Sequence, residues 1–135
     1  MQGLLVGFGG VIGALLRYYI GLWSSEWTHT IFPIGTFTAN MIGSFILGWL
    51  TTRIIQHQVV HPYLAAAFGT GIIGSFTTFS TFSVETVQLI QTGHWQMALL
   101  YVLLSLLAGL LFSWSGFKMG KTFSESKNGG SKQVL

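Results

Sequence analysis

Apolar residues fall into four long runs separated by short polar stretches. The runs cover roughly Gly3 to Leu22, Phe32 to Thr52, Tyr63 to Ile90 and Trp95 to Phe117. Each supplies the ~20 residues with which a helix crosses ~30 Å of hydrocarbon. The connections are short: about ten residues around Glu26 to Thr30, then His57 to His61, then Thr92 to His94. They leave no room for a second domain. The pattern predicts an all-α integral membrane protein with four transmembrane helices over residues 1–120. A Ser-, Lys- and Gly-rich tail over 121–135 is expected to be disordered, having too little apolar surface to bury. The first run has no basic residue before it and no small-residue cleavage site after it, so we read it as a retained span.

Aromatic residues sharpen the boundaries. Tyr18, Tyr19, Trp23, Trp27, Trp49, Tyr63, Trp95 and Trp114 fall near the predicted ends, where amphipathic rings prefer the membrane–water interface. Glycine suggests how the spans pack. Gly3/Gly7, Gly9/Gly13 and Gly10/Ala14 repeat at four-residue spacing in the first run, and Gly35/Ala39/Gly43 and Ser44/Gly48 in the second. Small residues at that spacing let helix backbones approach closely in lipid.

The third run is different. Between Gly69 and Ser83 it reads GTGIIGSFTTFSTFS, with three Gly, seven Ser or Thr and three Phe. Glycine and hydroxyl residues weaken a continuous helix, and we expect a break near Gly74 to Thr78. Unwound backbone at membrane depth is tolerated where protein or a water-filled cavity satisfies it, and broken helices often hold ions at their half-helix ends. The alternative is an unbroken helix whose Ser and Thr hydroxyls bond back to its own carbonyls.

Composition strengthens the membrane reading. Only nine of 135 residues are charged and half are apolar, against about a quarter charged in a typical soluble domain. The net charge of +3 rests largely on Lys118, Lys121, Lys127 and Lys132, a basic tail and not a nucleic-acid face. With no cysteine, disulfides, thiolate zinc sites and cysteine nucleophiles are excluded. Enzyme chemistry finds little support. Glu85 is the single acidic residue within a span, so there is no paired carboxylate for acid–base work. His29, His57, His61 and His94 sit in connections, and the four-residue spacing of His57 and His61 lacks a third ligand nearby.

Transport fits better. Thr36, Asn40 and Ser44 share one face of the second span by their four-residue spacing. Intramembrane polar groups tend to face a bundle interior, either as interhelical hydrogen-bond glue or as part of a pathway. Tyr101, Ser105 and Ser113 form another such stripe in the fourth span, interrupted by Gly109. Phe76, Phe79 and Phe82 recur every three residues beside the predicted break. Such a stripe is most often packing, but a phenyl ring has a positive edge that a small anion can approach. No Lys or Arg lies deep in these stripes, which suits passage over tight retention. Arg17 and Arg53 lie toward span ends, where they snorkel to an interface or, for Arg17, line a vestibule that attracts anions.

Taken together, GFGGVIGALLRY (Gly7 to Tyr18), GTFTANMIGSFILG (Gly35 to Gly48) and GTGIIGSFTTFSTFSVET (Gly69 to Thr86) resemble the Fluc/CrcB family of fluoride channels. The resemblance implies an antiparallel, dual-topology dimer in the cell membrane with two separate fluoride pores, exporting fluoride and protecting the cell from its toxicity. It implies that Phe79 and Phe82 line the pores and that Asn40 is pore-associated. Thr77, Thr78, Ser80 and Thr81 complete the matching run, and Tyr101, Ser105 and Ser113 resemble the family's polar track. Gly109 departs from the hydroxyl expected between Ser105 and Ser113. It also implies a structural sodium ion (Na+) at the dimer centre, held by backbone carbonyls of Gly74 and Ser75. The partner is a second copy or a paralogous subunit. Two alternatives stand beside this reading. One is a small proton-coupled exporter of the small-multidrug-transporter type, although such exporters rely on an acid in the first helix and this first span has none. The other is a structural subunit without transport.

Overall fold

In the computed structural model every element among the described residues is a helix. The structure describes the backbone of residues 2–27, 30–57 and 61–129, and their side chains except at 27, 53–57 and 123–129. Among the described residues, three helices are long and apolar enough to cross a membrane: α1 (Gln2–Trp27), α2 (Ile34–His57) and α6 (Trp95–Gly129). The third apolar run is not one helix. It is built from α3 (Pro62–Ala66), a π-helical stretch (Ala67–Ile73), α4 (Gly74–Phe76) and α5 (Phe79–Gln91).

Local chemistry explains each joint of this composite. Pro62 opens α3, where its missing N–H is no loss. The chain leaves the helix at Thr77 and Thr78, both extended, inside the window where glycine and hydroxyl residues predict a break. Thr78 then caps α5 by accepting the Thr81 N–H at 3.2 Å. At the far end Gly93 takes φ +81°. There its N–H bonds the Ile90 carbonyl and that of His94 the Leu89 carbonyl, at 3.0 and 2.8 Å. This is a Schellman stop that turns the chain directly into α6. The π-helical stretch was not legible in the sequence, because the choice between i→i+4 and i→i+5 bonding depends on what packs against it.

What packs against it is α1. A Cβ on Gly9 would stand 2.6 Å from the Ala67 carbonyl oxygen, and one on Gly71 would stand 2.7 Å from that of Val6. A Cβ on Gly13 would collide with the Ile72 carbonyl. These glycines let the two backbones touch. Some other glycines of α1 are not used this way: among the described residues, nothing lies within 4 Å of a Cβ built on Gly3, Gly7 or Gly10. The largest interface joins α2 and α6. Gly48 sits on the Ser113 carbonyl and Gly116 on that of Phe45, while Gly120 lies against Thr52. Thr52, 1% exposed, donates to the carbonyls of Gly48 and Phe117 at 3.1 and 3.2 Å. Met41, Gly48 and Thr52 meet Gly109, Ser113 and Gly120 in ascending order, so α2 and α6 run in the same direction.

The fold turns its apolar surface outward. Among the described residues the buried apolar set is small, including Ala39, Met41, Ile73, Phe76, Leu89 and Tyr101, whereas Leu99, Leu103, Leu106, Leu107, Leu110 and Leu111 of α6 are exposed. Exposed apolar area this extensive on a single chain marks a lipid-facing or protein-facing surface. The backbone of α6 is helical to Gly129, past the start of the polar tail at Lys121. Lys and Glu in this stretch are good helix formers and extend a helix already nucleated by the span. The remainder of the tail, His29 and the side chains of Arg53 and His57 lie outside the described residues.

Candidate functional site

The helix break creates the site. At Thr77 and Thr78 the backbone loses its helical partners, and α2 supplies replacements. Asn40 accepts the Thr78 N–H on Oδ1 at 2.8 Å and donates from Nδ2 to the Thr78 carbonyl at 3.1 Å. One side-chain amide thus satisfies both backbone groups of an extended residue, and the pairing fixes which way the amide faces. One N–H of Nδ2 remains uncommitted by this clamp. Gly43, one turn along α2, makes room for the Thr77 methyl group.

Beside the clamp lies a cavity of about 500 Å³ bounded by α2, the break, α5 and α6. Asn40, Ser44, Thr77, Thr78, Phe79, Phe82, Ser105 and Gly109 line it, with Met41, Leu47, Val102 and Leu106 completing the wall. The rings of Phe79 and Phe82 are tilted at 36° with centroids 5.8 Å apart. Phe79 is 80% exposed, so the cavity meets the molecular surface along that ring. The surroundings combine amide and hydroxyl donors with aromatic edges, and among the described residues no Lys, Arg, Asp or Glu lines the cavity. Such a site can replace part of a small anion's water without a fixed countercharge to trap it.

Of the residues singled out in the sequence, Asn40, Thr77, Thr78, Phe79, Phe82 and Ser105 come together around this cavity. Others do not. Ser80 is exposed on the first turn of α5, with its hydroxyl 3.2 Å from that of Thr78. Thr81 accepts from the Thr78 hydroxyl at 3.1 Å and lines a different cavity. Ser113 lies beyond the cavity, its carbonyl seated on Gly48. Tyr101 is fully buried behind Phe82, ring centroids 4.9 Å apart, and its hydroxyl points away from the cavity to Glu85. Gly74 is exposed and Ser75 half-buried, both outside the cavity.

Sequence reasoning gave Glu85 no role, although it was the lone acid within a span, and an intramembrane carboxylate is a functional candidate by default. Its two oxygens accept from the hydroxyls of Thr36 and Tyr101 at 2.7 and 2.8 Å. Glu85 and Thr36 border two further cavities of about 340 and 270 Å³. The larger is shared with Arg17 and Thr81, the smaller with Ser24, Ser25 and Thr30. A polar region therefore lies on the opposite side of Phe82 and Tyr101 from the main cavity. The Thr36–Asn40–Ser44 stripe spans both regions, Thr36 facing Glu85 and the other two facing the aromatic cavity.

Residues 4–117 match the family model described as CrcB-like protein, Camphor Resistance (CrcB). "Fluoride-specific ion channel FluC 1" of Bacillus cereus is 50% identical over 117 residues, covering 87% of this chain and 85% of the relative. The protein of the same name in Desulfitobacterium hafniense is 49% identical over 116 residues, 86% of this chain and 100% of the relative. "Fluoride-specific ion channel FluC 2" of Geobacillus kaustophilus is 46% identical over 114 residues, 84% and 88% of the two chains. The match takes in α1, α2, the broken unit and most of α6, and with it every residue of the clamp, the aromatic pair and the Glu85 network: this chain belongs to the CrcB family.

Proposed function

We propose that this protein is a passive, fluoride-selective channel of the plasma membrane that lets fluoride leave the cell. The observation that carries the proposal is the cavity itself, which joins Asn40, Phe79, Phe82 and Ser105 without a fixed charge, in a chain half identical to proteins named fluoride-specific ion channels. Fluoride is small and strongly hydrated, so its passage needs closely spaced donors to offset desolvation. The uncommitted Asn40 N–H, the Ser105 hydroxyl and the phenyl edges supply them.

The composite of α3 to α5 serves as the fourth crossing. It shares the apolar character of the long helices, and its two connections are short enough to alternate direction with α2 and α6, which run parallel to each other. The active form is an antiparallel dimer, made of two copies or of this chain and a paralogous subunit. Phe79 supports this: a cavity-lining ring left 80% exposed is completed by a second subunit.

The break also suits the sodium ion that the resemblance implies. The Thr78 N–H, which would close the helical bond to the Gly74 carbonyl, is taken by Asn40. Gly74 faces outward with no side chain to shield its carbonyl. Carbonyls of Gly74 and Ser75 fit a hard monovalent cation, which would offset the negative partial charge at the end of α4.

The test is a fluoride-electrode efflux assay on liposomes containing purified protein. Fluoride should leave down its gradient without ATP or a proton gradient, while chloride barely passes. Equal fluoride and chloride flux, or strict dependence on a proton gradient, would overturn the proposal, the latter in favour of a proton-coupled exporter.

A further inference from the structure

The break rests on α2 at two neighbouring points. At Thr78 the contact is made by hydrogen bonds: Asn40 accepts the Thr78 N–H at 2.8 Å and donates to its carbonyl at 3.1 Å. At Thr77 it is made by packing. The Thr77 methyl group sits over Gly43, which is buried and lies three residues beyond Asn40 on the same helix. A Cβ on Gly43 would collide with that methyl carbon, while its next neighbours, the Phe76 ring and the Thr77 Cβ, stand at 3.4 and 3.6 Å. The methyl group cannot swing aside freely. The hydroxyl and the N–H of Thr77 both donate to the Ile73 carbonyl at 2.9 Å, which holds the side chain in one rotamer at the end of α4. A single peptide bond then links this fixed residue to Thr78.

We propose that Gly43 is a positioning residue for the ion path: the Thr77 methyl seated on it sets the height of the break on α2, and so the aim of the uncommitted Asn40 N–H into the cavity. The proposal rests on the cavity being the fluoride path and deepens that reading. Asn40, Gly43, Thr77 and Thr78 all line the cavity, so a displacement at the notch is a displacement of its wall. Non-bonded carbons settle at about 3.5–4.0 Å, so a methyl group added at Gly43 must lift Thr77 from α2 by on the order of 1 Å. The two bonds between Asn40 and Thr78 tolerate only a few tenths of an ångström before they leave hydrogen-bonding range.

Three variants fill the notch differently. Gly43→Ala overfills it and Thr77→Ser empties it. Combining the two moves the methyl group across the contact at nearly constant volume and keeps a hydroxyl for the Ile73 carbonyl. Gly43→Ala should slow fluoride efflux from liposomes by roughly tenfold, the effect of one lost hydrogen bond to a charged group. The double variant should recover most of that loss, because the two positions are coupled. Position is read directly at the Asn40 amide. The chain has two asparagines, Asn40 and Asn128, so isotopic nitrogen placed in asparagine alone gives two side-chain amides by NMR, and Asn40→Asp identifies which belongs to Asn40. Each single substitution should shift the Asn40 signals and leave those of Asn128 in place, and the double variant should return them toward the parent. Parent-like flux in an assembled Gly43→Ala variant would overturn the proposal. Slowed flux with unmoved Asn40 signals would reduce Gly43 to packing, and a double variant no closer to the parent than Gly43→Ala would remove the methyl contact as the cause. If Gly43→Ala alone does not assemble, Thr77→Ser and the double variant decide the matter: signals displaced in the first and restored in the second support the role, and signals displaced alike in both, or in neither, defeat it. The unsubstituted protein reports the function separately. If it passes no fluoride the channel reading fails, while the amide signals still test the notch.

Discussion

At the residue scale, chemistry follows from what each side chain has left over after structural duties. Asn40 spends its carbonyl and one N–H on Thr78. Asn40→Asp keeps an acceptor for the Thr78 N–H but loses the donor to the Thr78 carbonyl and brings a carboxylate to the cavity wall. Fluoride efflux should fall to background, and restored flux in a folded variant would remove Asn40 from the path. Phe79 and Phe82 have no hydrogen-bonding groups in their side chains, and in the proposed channel their positive edges face the ion. Phe79→Ile or Phe82→Ile, about size-conserving, should slow flux by roughly tenfold or more while leaving the assembly intact, which efflux and size-exclusion profiles together will report. Normal flux in both would reduce the rings to packing. Glu85 holds the hydroxyls of Thr36 and Tyr101. Glu85→Ala leaves both without that acceptor, the phenol fully buried, at a cost of about 1–3 kcal/mol for each unsatisfied group. A lowered melting temperature in detergent is expected, and Glu85→Gln should recover part of it.

At the scale of elements, glycines with the same sequence spacing do different jobs. Gly48 touches the Ser113 backbone, whereas Gly10 faces nothing within 4 Å inside the chain. Gly48→Ala must push apart the α2–α6 interface, because a carbonyl cannot rotate aside as a side chain does. It should destabilise the protein by about 1–3 kcal/mol. Gly10→Ala should not affect folding of the single chain, and any effect would point to contact with a partner subunit. The spacing rule alone made these positions equivalent. The register of one helix on its neighbour separates them, and that is decided by contacts distant in sequence. The helix break lay closer to the surface of the sequence, since a cluster of hydroxyl and glycine residues has a local propensity against helix. The π-helical stretch beside it has no such local cause and follows from the fit of Gly71 against Val6 and of Ile72 against Gly13.

For the whole molecule, the open question of chemistry is orientation. The lysines near the end of α6, Lys118 and Lys121, favour a cytoplasmic C-terminus by the positive-inside tendency, while an antiparallel dimer needs one subunit of each orientation. Lys118 also sits 5.1 Å from the Trp114 ring centroid, pairing a cation with an interfacial aromatic at that end of the span. We expect the few charges in the connections to leave insertion undecided, so that both orientations occur. A single cysteine placed at Ser131, in a chain that has none of its own, should be labelled partly by a membrane-impermeant thiol reagent in intact cells and fully after permeabilisation. Labelling only after permeabilisation, with no active homodimer on purification, would call for a paralogous partner. An active homodimer with both tails on one side would defeat the antiparallel arrangement.

The sequence by itself determined the solvent, the long helices and the place where the third run breaks. Nine charges among 135 residues and runs of about twenty apolar residues leave lipid as the medium, and the Gly–Ser–Thr cluster of the third run is poorly suited to one continuous helix. It also named most of the cavity wall, because polar side chains are rare at membrane depth and spacing puts them on common faces. The tertiary structure decided which of those residues meet. Tyr101 and Ser105 are one turn apart on one stripe, yet one bonds Glu85 and the other lines the cavity, since Phe82 packs against Tyr101 and separates the two regions. Glu85 stood out in the sequence as the lone acid within a span, but only the fold shows its partners, Thr36 and Tyr101, 49 and 16 residues away, closing on its two oxygens. A helical period specifies a face, but what that face meets depends on the packing of helices whose contacts are distant in the chain.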